Sequence, residues 1–335
     1  MNEAALAYWE ATGYTNEDLL SFCRKYDKTQ LFGLLHFVHG DLSHITISSC
    51  LAECKQGHLG AWSEFLSEMA MQHPQGSSLH GSCILWAHDG LIGEPATNAH
   101  QAPLLTFGRH CHNAESLLIP DPSFLHSAGH VQKREEIHRA DEDIPWERKL
   151  NSAFWRGAAS SGGAGKKARF LESSRVRLAL LSKEWNSPEL LDAKITKAAE
   201  GGEVTKEDFE ELGLFDELVP FSTFQRYRYQ IDIDGVCCAW LSCFLKLASQ
   251  SAVLKVESHY EQWYFDRLVP WVHFVPVSSN LSNLRERIEW LQNHDESARA
   301  IGMASHQLMK EFTLETEQQR TGDLLLRLLA CQKDR

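Results

Sequence analysis

The alternation of apolar and polar positions is clearest between residues 224 and 258. Tyr227, Tyr229, Ile231 and Ile233 alternate with Arg228, Gln230, Asp232 and Asp234, the period of two of a β-strand with one apolar face. Gly235 closes that run. Trp240, Phe244 and Leu247 then recur at helical spacing, and residues 251–256 form a short β-rich stretch. Strand, tight turn, helix and strand make half of an α/β nucleotide-binding unit, whose ligands sit beyond the carboxyl ends of the strands. Asp234, Gly235, Ala239 and Trp240 therefore fall where a nucleotide would lie, with Glu257, Ser258 and His259 on the same rim.

The rest of the pattern extends an α/β reading. Residues 1–75 read as mostly helical, with Leu19, Leu20, Phe22, Leu31, Leu34 and Leu35 as core positions. From Ser82 the pattern changes to short strand-like runs at 83–87, 104–107 and 117–119, separated by polar loops. Residues 127–145 carry dense mixed charge and read as a crossover between domains or a solvated helix. Apolar residues at helical spacing with arginines between them predict a helix over 171–183. An acidic, exposed helical insert is expected over 197–215. Leu281, Leu284, Ile288 and Leu291 stripe one later helix, and at least one more follows from Ala298.

Composition narrows the partners. The chain has 335 residues, 43% hydrophobic and 23% charged, which fits a globular protein of about two domains. A formal charge of −12 argues against a nucleic-acid partner, because that affinity comes from basic contacts to phosphate. No run of 18 apolar residues occurs, so no transmembrane segment is expected. Nine cysteines without scaffold spacing read as reduced thiols, and Cys50 and Cys54 as buried structural ones.

Several residues carry candidate chemistry. Asp89, at the end of a strand-like run and beside Gly90, is a candidate general base; the alternative is a turn-forming Asp-Gly, and His88 is a weaker rival base. The loop 158–169 is rich in glycine and serine. It satisfies a relaxed G-x-G-x-x-A pattern weakly, and it is not a P-loop, since Ser160 and Lys167 stand at required Gly and Ser/Thr positions. It reads either as a flexible loop or as a phosphate-facing one that meets a diphosphate together with Arg156. Ser160 and Arg169 would add donors there. Asp232 and Asp234 form an Asp-x-Asp that either binds a divalent cation or touches ribose; no metal is expected. His110, Cys111 and His112 tempt as ligands, but adjacent residues point apart and no fourth ligand is evident, so no metal is expected there either.

The residues YRYQIDIDG from 227, KLASQSAVLKVES from 246 and the stretch 260–277 together resemble the C-terminal signature of glycosyltransferase family 90, the CAP10-like family. That family includes protein O-glucosyltransferases, fungal capsule-associated xylosyltransferases and bacterial lipopolysaccharide glycosyltransferases, and the wording here is closest to the bacterial branch. Further matches are Pro103 to Phe107, Ile119-Pro120-Asp121, Trp146-x-x-Lys149, Trp155-Arg156-Gly157 and Asp192-Ala193-Lys194.

The resemblance implies a GT-B-like α/β fold, two Rossmann-like domains facing across a cleft. Residues 1–145 would form the acceptor-side domain and 146–309 the nucleotide-sugar domain, with a helix at 310–335 free to pack back on the first. It implies an inverting transfer from a UDP-sugar, glucose or xylose, to a hydroxyl of a glycan, lipopolysaccharide or protein, with Asp89 aligned to the family's acidic residue. Arg156, Gly157, Ser160, Arg169, Asp234, Gly235, Ala239, Trp240, Lys255, Glu257, Ser258 and His259 would bind the donor. Many members carry an arginine in the helix after the Asp-Gly turn; Val236 to Leu241 has none, which leaves Lys255 or the helix N-terminus as substitutes. No cofactor is expected. The N-terminal sequence shows no signal peptide, unlike the secretory eukaryotic members, so a cytoplasmic enzyme, at most peripheral to an inner membrane, is expected. The rival readings are an inactive sugar-nucleotide-binding or scaffolding protein and an NAD(P)-dependent oxidoreductase.

Overall fold

The structure is a computed structural model, and it describes residues 2–28, 30–49, 53–87, 102–160 and 165–334. It is mixed α/β, and its contacts divide the chain into two compact units. One comprises residues 1–130, 259–266 and 312–335; the other comprises 131–258 and 267–311.

The first unit begins with helices α1 (Asn2–Thr12) and α2 (Asn16–Tyr26). A capping box starts α2: the Thr15 side chain accepts from the Asp18 N–H, and the Asp18 carboxylate accepts from the Thr15 N–H. A hairpin of β1 (Phe32–Val38) and β2 (Asp41–Ile47) comes next, then α3 (Glu53–Gln72) and β3 (Gly81–Trp86). The expectation of a mostly helical start therefore fails over 32–47. Leu34 and Leu35 belong to β1, where a short apolar run is satisfied by pairing on both sides, with β2 and with β3. Three more short strands come after it: β4 (Leu104–Thr106), β5 (Gly108–His110) and β6 (Leu117–Leu118), then the short helix α4 (Pro122–His126). The strand-like runs at 83–87, 104–107 and 117–119 thus become β3, β4 and β6. The main sheet runs β2-β1-β3-β4-β6, antiparallel at the hairpin side and parallel from β3 onward.

The second unit starts at α5 (Val131–Asp143), the charged stretch, which belongs with the strands C-terminal to it and not with the first unit. A buried ion pair ties it there: Lys149 Nζ lies 2.5 Å from Asp141 Oδ1 and also donates to the carbonyl of Gln225. Then come β7 (Leu150–Ala158), α6 (Ser174–Trp185), β8 (Leu191–Lys197), the short α7 (Lys206–Glu211), β9 (Tyr227–Asp232), α8 (Trp240–Ala248) and β10 (Ala252–Val256). β11 (Tyr260–Gln262) returns to the first unit and pairs antiparallel with β5. β12 (Val275–Val277), α9 (Leu284–Asn293) and α10 (Asp295–Met309) complete the second unit. Its sheet, β12-β10-β9-β7-β8, is parallel throughout.

A central parallel strand is covered on both faces, and β9 is one. Tyr229 and Ile231 join the core with Trp155, Val176, Leu254 and Ile288, while Gln230 and Asp232 on the opposite face are equally buried. The polar face of the alternation thus points into the protein, and its charge must be matched there.

The last helix, α11 (Leu314–Ala330), belongs to the first unit and packs on α1, α3 and β3. Just beyond it, Gln332 Oε1 accepts from the Ser82 N–H at 2.8 Å, and Lys333 N–H donates to the carbonyl of Tyr14. No helix among the described residues is long and apolar enough to cross a membrane.

Candidate active site

The carboxyl ends of β7, β9 and β10 bring together residues far apart in sequence. Asp232, the last residue of β9, is in register with Lys255 on β10. Its carboxylate is 1% exposed and sits between two buried lysines, 3.2 Å from Lys255 Nζ and 3.4 Å from Lys246 Nζ. Lys246 comes from α8, which packs on that face. Burial alone would raise the Asp232 carboxyl, but Lys255 and Lys246 outweigh it and hold the group at about 2. Burial pushes Lys246 down, opposed by Asp232. On Lys255 burial pulls the same way, yet Cys243, Asp232 and Asp234 hold it above its ordinary value. With both lysines on Asp232, the Asp-x-Asp pair presents no second open carboxylate for a cation.

Asp234, two residues on, differs. Burial raises its carboxyl to about 6 against the lowering by Lys255 and by the Ser258 hydroxyl. Ser258 Oγ donates to Asp234 Oδ2. Asp234 Oδ1 is buried and accepts from nothing among the described residues. A buried acceptor without a donor is costly, and it suits a ligand hydroxyl or N–H.

Gly235 lies close to its neighbours: a Cβ there would stand 2.9 Å from Ser160 Oγ and 3.2 Å from Arg175 Nη2, so those side chains would have to shift. Arg175, in the first turn of α6, gathers the neighbouring loops. Its guanidinium donates to the carbonyls of Ala158, Ile233 and Asp234 and, at 2.7 Å, to Ser160 Oγ. It places a cation at the strand ends, near Asp232 and Asp234. Sequence reasoning gave Arg175 no role; the only signal was an arginine at the start of the 171–183 periodicity. Trp240, which opens α8, has φ +46, a conformation a bulky side chain adopts only when its surroundings impose it.

The other expected donor-binding residues have contacts of their own. Arg156 projects from β7 on the Phe154 side, its guanidinium 4.5 Å from that ring. Its fork is held by Asp192 at 2.8 and 3.0 Å and by Asp216 at 2.8 Å. Gly157 packs against the Trp155 ring, and Arg169 is exposed beside Glu172. Ala239 takes the N-cap position of α8 without a side-chain hydrogen bond. Glu257 is exposed and accepts from the Ser279 N–H. His259 belongs with the first unit. Asp89 and His88 lie outside the described residues, as do 161–164 of the glycine loop and Cys50. One expectation is reversed: the side chains of His110, Cys111 and His112 converge, their ligand atoms within 4.8 Å of one another, because β5 ends at His110 and the chain turns there.

The model of glycosyl transferase family 90 matches residues 91–320, more than half of the chain. The chain belongs to glycosyl transferase family 90. Similar curated members of the family include protein O-glucosyltransferase 2 of Danio rerio, 34% identical over 165 residues, which is 49% of this chain and 29% of that protein. Protein O-glucosyltransferase 3 of Rattus norvegicus is 38% identical over 156 residues, 47% of this chain and 27% of that protein. The chain thus spans under a third of the length of these two relatives. Among solved structures, Anabaena Alr3699/HepE in complex with UDP and glucose is similar at a TM-score of 0.37 and 9% identity, over 56% of this chain and 51% of that one. A likeness of that size carries no argument about this family 90 chain.

Proposed function

We propose that this family 90 chain is an inverting glycosyltransferase that moves a sugar, glucose or xylose, from a UDP-sugar to a hydroxyl acceptor on a glycan, lipopolysaccharide or protein. The observation that carries the reading is the Asp234 carboxylate. It stands at the carboxyl end of a central parallel strand in a chain of this family, with one oxygen held by Ser258 and the other buried without a donor among the described residues. A ribose hydroxyl supplies the missing donor, the N-terminal turn of α6 supplies positive charge for the diphosphate, and Arg175, engaged by Ser160 and three carbonyls, orders the loops around them. In the reaction Asp89 takes the proton of the acceptor hydroxyl as its oxygen bonds to the anomeric carbon. The bond from that carbon to the UDP oxygen breaks, and UDP leaves with the electron pair.

A GT-B arrangement, with the acceptor side in the first unit and the donor side in the second, belongs to this reading, as does a place in the bacterial branch. So does a reaction without a resident metal, supported by the two lysines that Asp232 already holds. A cytoplasmic location, with access to an inner-membrane acceptor, rests on the reduced cysteines that the sequence predicts.

Thermal unfolding with UDP, UDP-glucose, UDP-xylose, GDP and NAD tests it. A ligand at about a hundred times its Kd stabilises the fold by about 2.7 kcal/mol. UDP and one UDP-sugar are expected to raise the midpoint while GDP and NAD do not. Stabilisation by NAD alone would favour the oxidoreductase. Donor hydrolysis by the UDP-stabilised protein separates an enzyme from an inactive binder.

A further inference from the structure

β5 ends at His110, and the turn after it presents Cys111 and His112. Cys111 Sγ is 3.8 Å from His110 Nδ1. Ligands at about 2.3 Å (sulfur) and 2.1 Å (nitrogen) from a tetrahedral zinc stand roughly 3.6 Å apart. His110 Nδ1 accepts from the His112 N–H at 3.2 Å, so a cation would take that lone pair in place of the hydrogen bond. The His112 ring stacks on His110 at 4.7 Å, and the His259 ring lies 5.8 Å from His110 at an interplanar angle of 24°. The ligand atoms of His110, Cys111 and His112 thus lie within 4.8 Å of one another, and the His259 ring stands beside them at one end of the β5–β11 pair.

Their backbone is fixed. The Cys111 N–H donates to the His259 carbonyl and the Asn113 N–H to the His110 carbonyl, both at 2.8 Å. Beneath them Arg109, 3% exposed, donates to Glu261 and to the carbonyls of Ala114 and Ser116. Only side-chain rotations remain, and Cys111, His112 and His259 are exposed and free to make them. The nearby carboxylate, Glu261, is engaged by Arg109, so the donor set is sulfur and nitrogen.

We propose that His110, Cys111, His112 and His259 form a binding site for a borderline-soft divalent cation of the zinc type, with a thiolate and three imidazoles as ligands. Sulfur with nitrogen selects such a cation over Mg²⁺ or Ca²⁺, which take oxygen. The bound ion clips the 110–112 turn to the start of β11. The site uses none of the residues that hold Asp234 and stands independently of the donor reading.

The full chain, stripped of metal under reducing conditions, is titrated with Co²⁺. One equivalent is expected to bind with a near-ultraviolet thiolate-to-cobalt band and the visible bands of a four-coordinate ion, and Zn²⁺ is expected to abolish both. Cys111→Ser removes an exposed thiol; it should keep the wild-type unfolding midpoint and lose the near-ultraviolet band. His112→Ala and His259→Ala should each weaken binding and dim the visible bands. No saturable single-equivalent binding by the wild-type chain, or a thiolate band that survives Cys111→Ser, overturns the site. A titration unchanged in His259→Ala overturns the four-residue set.

Discussion

The Ser258 hydroxyl donates to Oδ2 of Asp234, joining the segments that succeed β10 and β9, and it leaves Oδ1 of the same carboxylate buried without a donor among the described residues. The fold therefore favours the neutral acid. The Asp234 carboxyl is raised from 3.8 to about 6, so its contribution to stability is full below about pH 4 and is lost as pH rises through about 6. Asp234→Asn stays neutral throughout. Urea midpoints of the variant should gain on wild type between about pH 4 and pH 6 and run parallel above. Parallel curves over the whole range would mean that Asp234 ionises as an ordinary surface acid.

Asp232 has the opposite sign. Its carboxyl is lowered from 3.8 to about 2, so its contribution is present above about pH 4 and lost as pH falls through about 2. Asp232→Asn removes the carboxylate that lies between two buried ammonium groups and is expected to cost about 3–5 kcal/mol at neutral pH. Adding Lys246→Met should recover part of this, because one of the two buried charges goes. A double-mutant cycle on unfolding free energies measures the coupling, and additive effects would mean that water reaches the pair.

Arg156 separates structure from binding. Its fork is occupied by Asp192 and Asp216, so Arg156→Ala should lower stability by about 1.5–3 kcal/mol, the range for hydrogen bonds to charged groups. Lysine should restore only part, lacking the fork. UDP affinity, measured by calorimetry on the folded variant, should change little. A loss of affinity of about 1.5–3 kcal/mol would assign the guanidinium to the diphosphate instead.

Asp89→Asn tests the proposed base. Asparagine keeps the size and suits a turn, but it cannot accept a proton. Turnover should fall by roughly 10²–10⁴ while UDP affinity stays, and the pH–rate profile should lose its acidic limb. Near-wild-type turnover would remove Asp89 from the reaction.

What could be read from the residues was mostly the second unit. The alternation at 227–233 and the Trp240, Phe244, Leu247 spacing mark β9 and α8, because the period of an element is local information. The first hairpin was missed for the converse reason: Leu31, Leu34 and Leu35 fit a helical stripe as well as a strand, and only pairing with Gly81–Trp86 decides. In the site, Asp234, Gly235 and Ser258 are placed by strand-end position, and Lys255 only as a substitute for an arginine that the family pattern leads one to expect. Arg175 is not, since its role depends on carbonyls at 158, 233 and 234 that converge only after folding. Pattern showed Asp232 as polar and facing away from the core, but not that Lys246, fourteen positions on, is its partner.

The first unit is built from both halves of the sequence, and that orders its synthesis. Ser82 and Gln332 are 250 positions apart when the one donates to the other, and α11 lies across α1, α3 and β3. While the chain is being made, 131–258 emerges without a break and has most of its own sheet, whereas the face of α1 and α3 that receives α11 must wait for the final residues. Contacts of such separation close late and slowly. A chain that has emerged only to about residue 311 would have its second unit formed while the first unit still lacks α11.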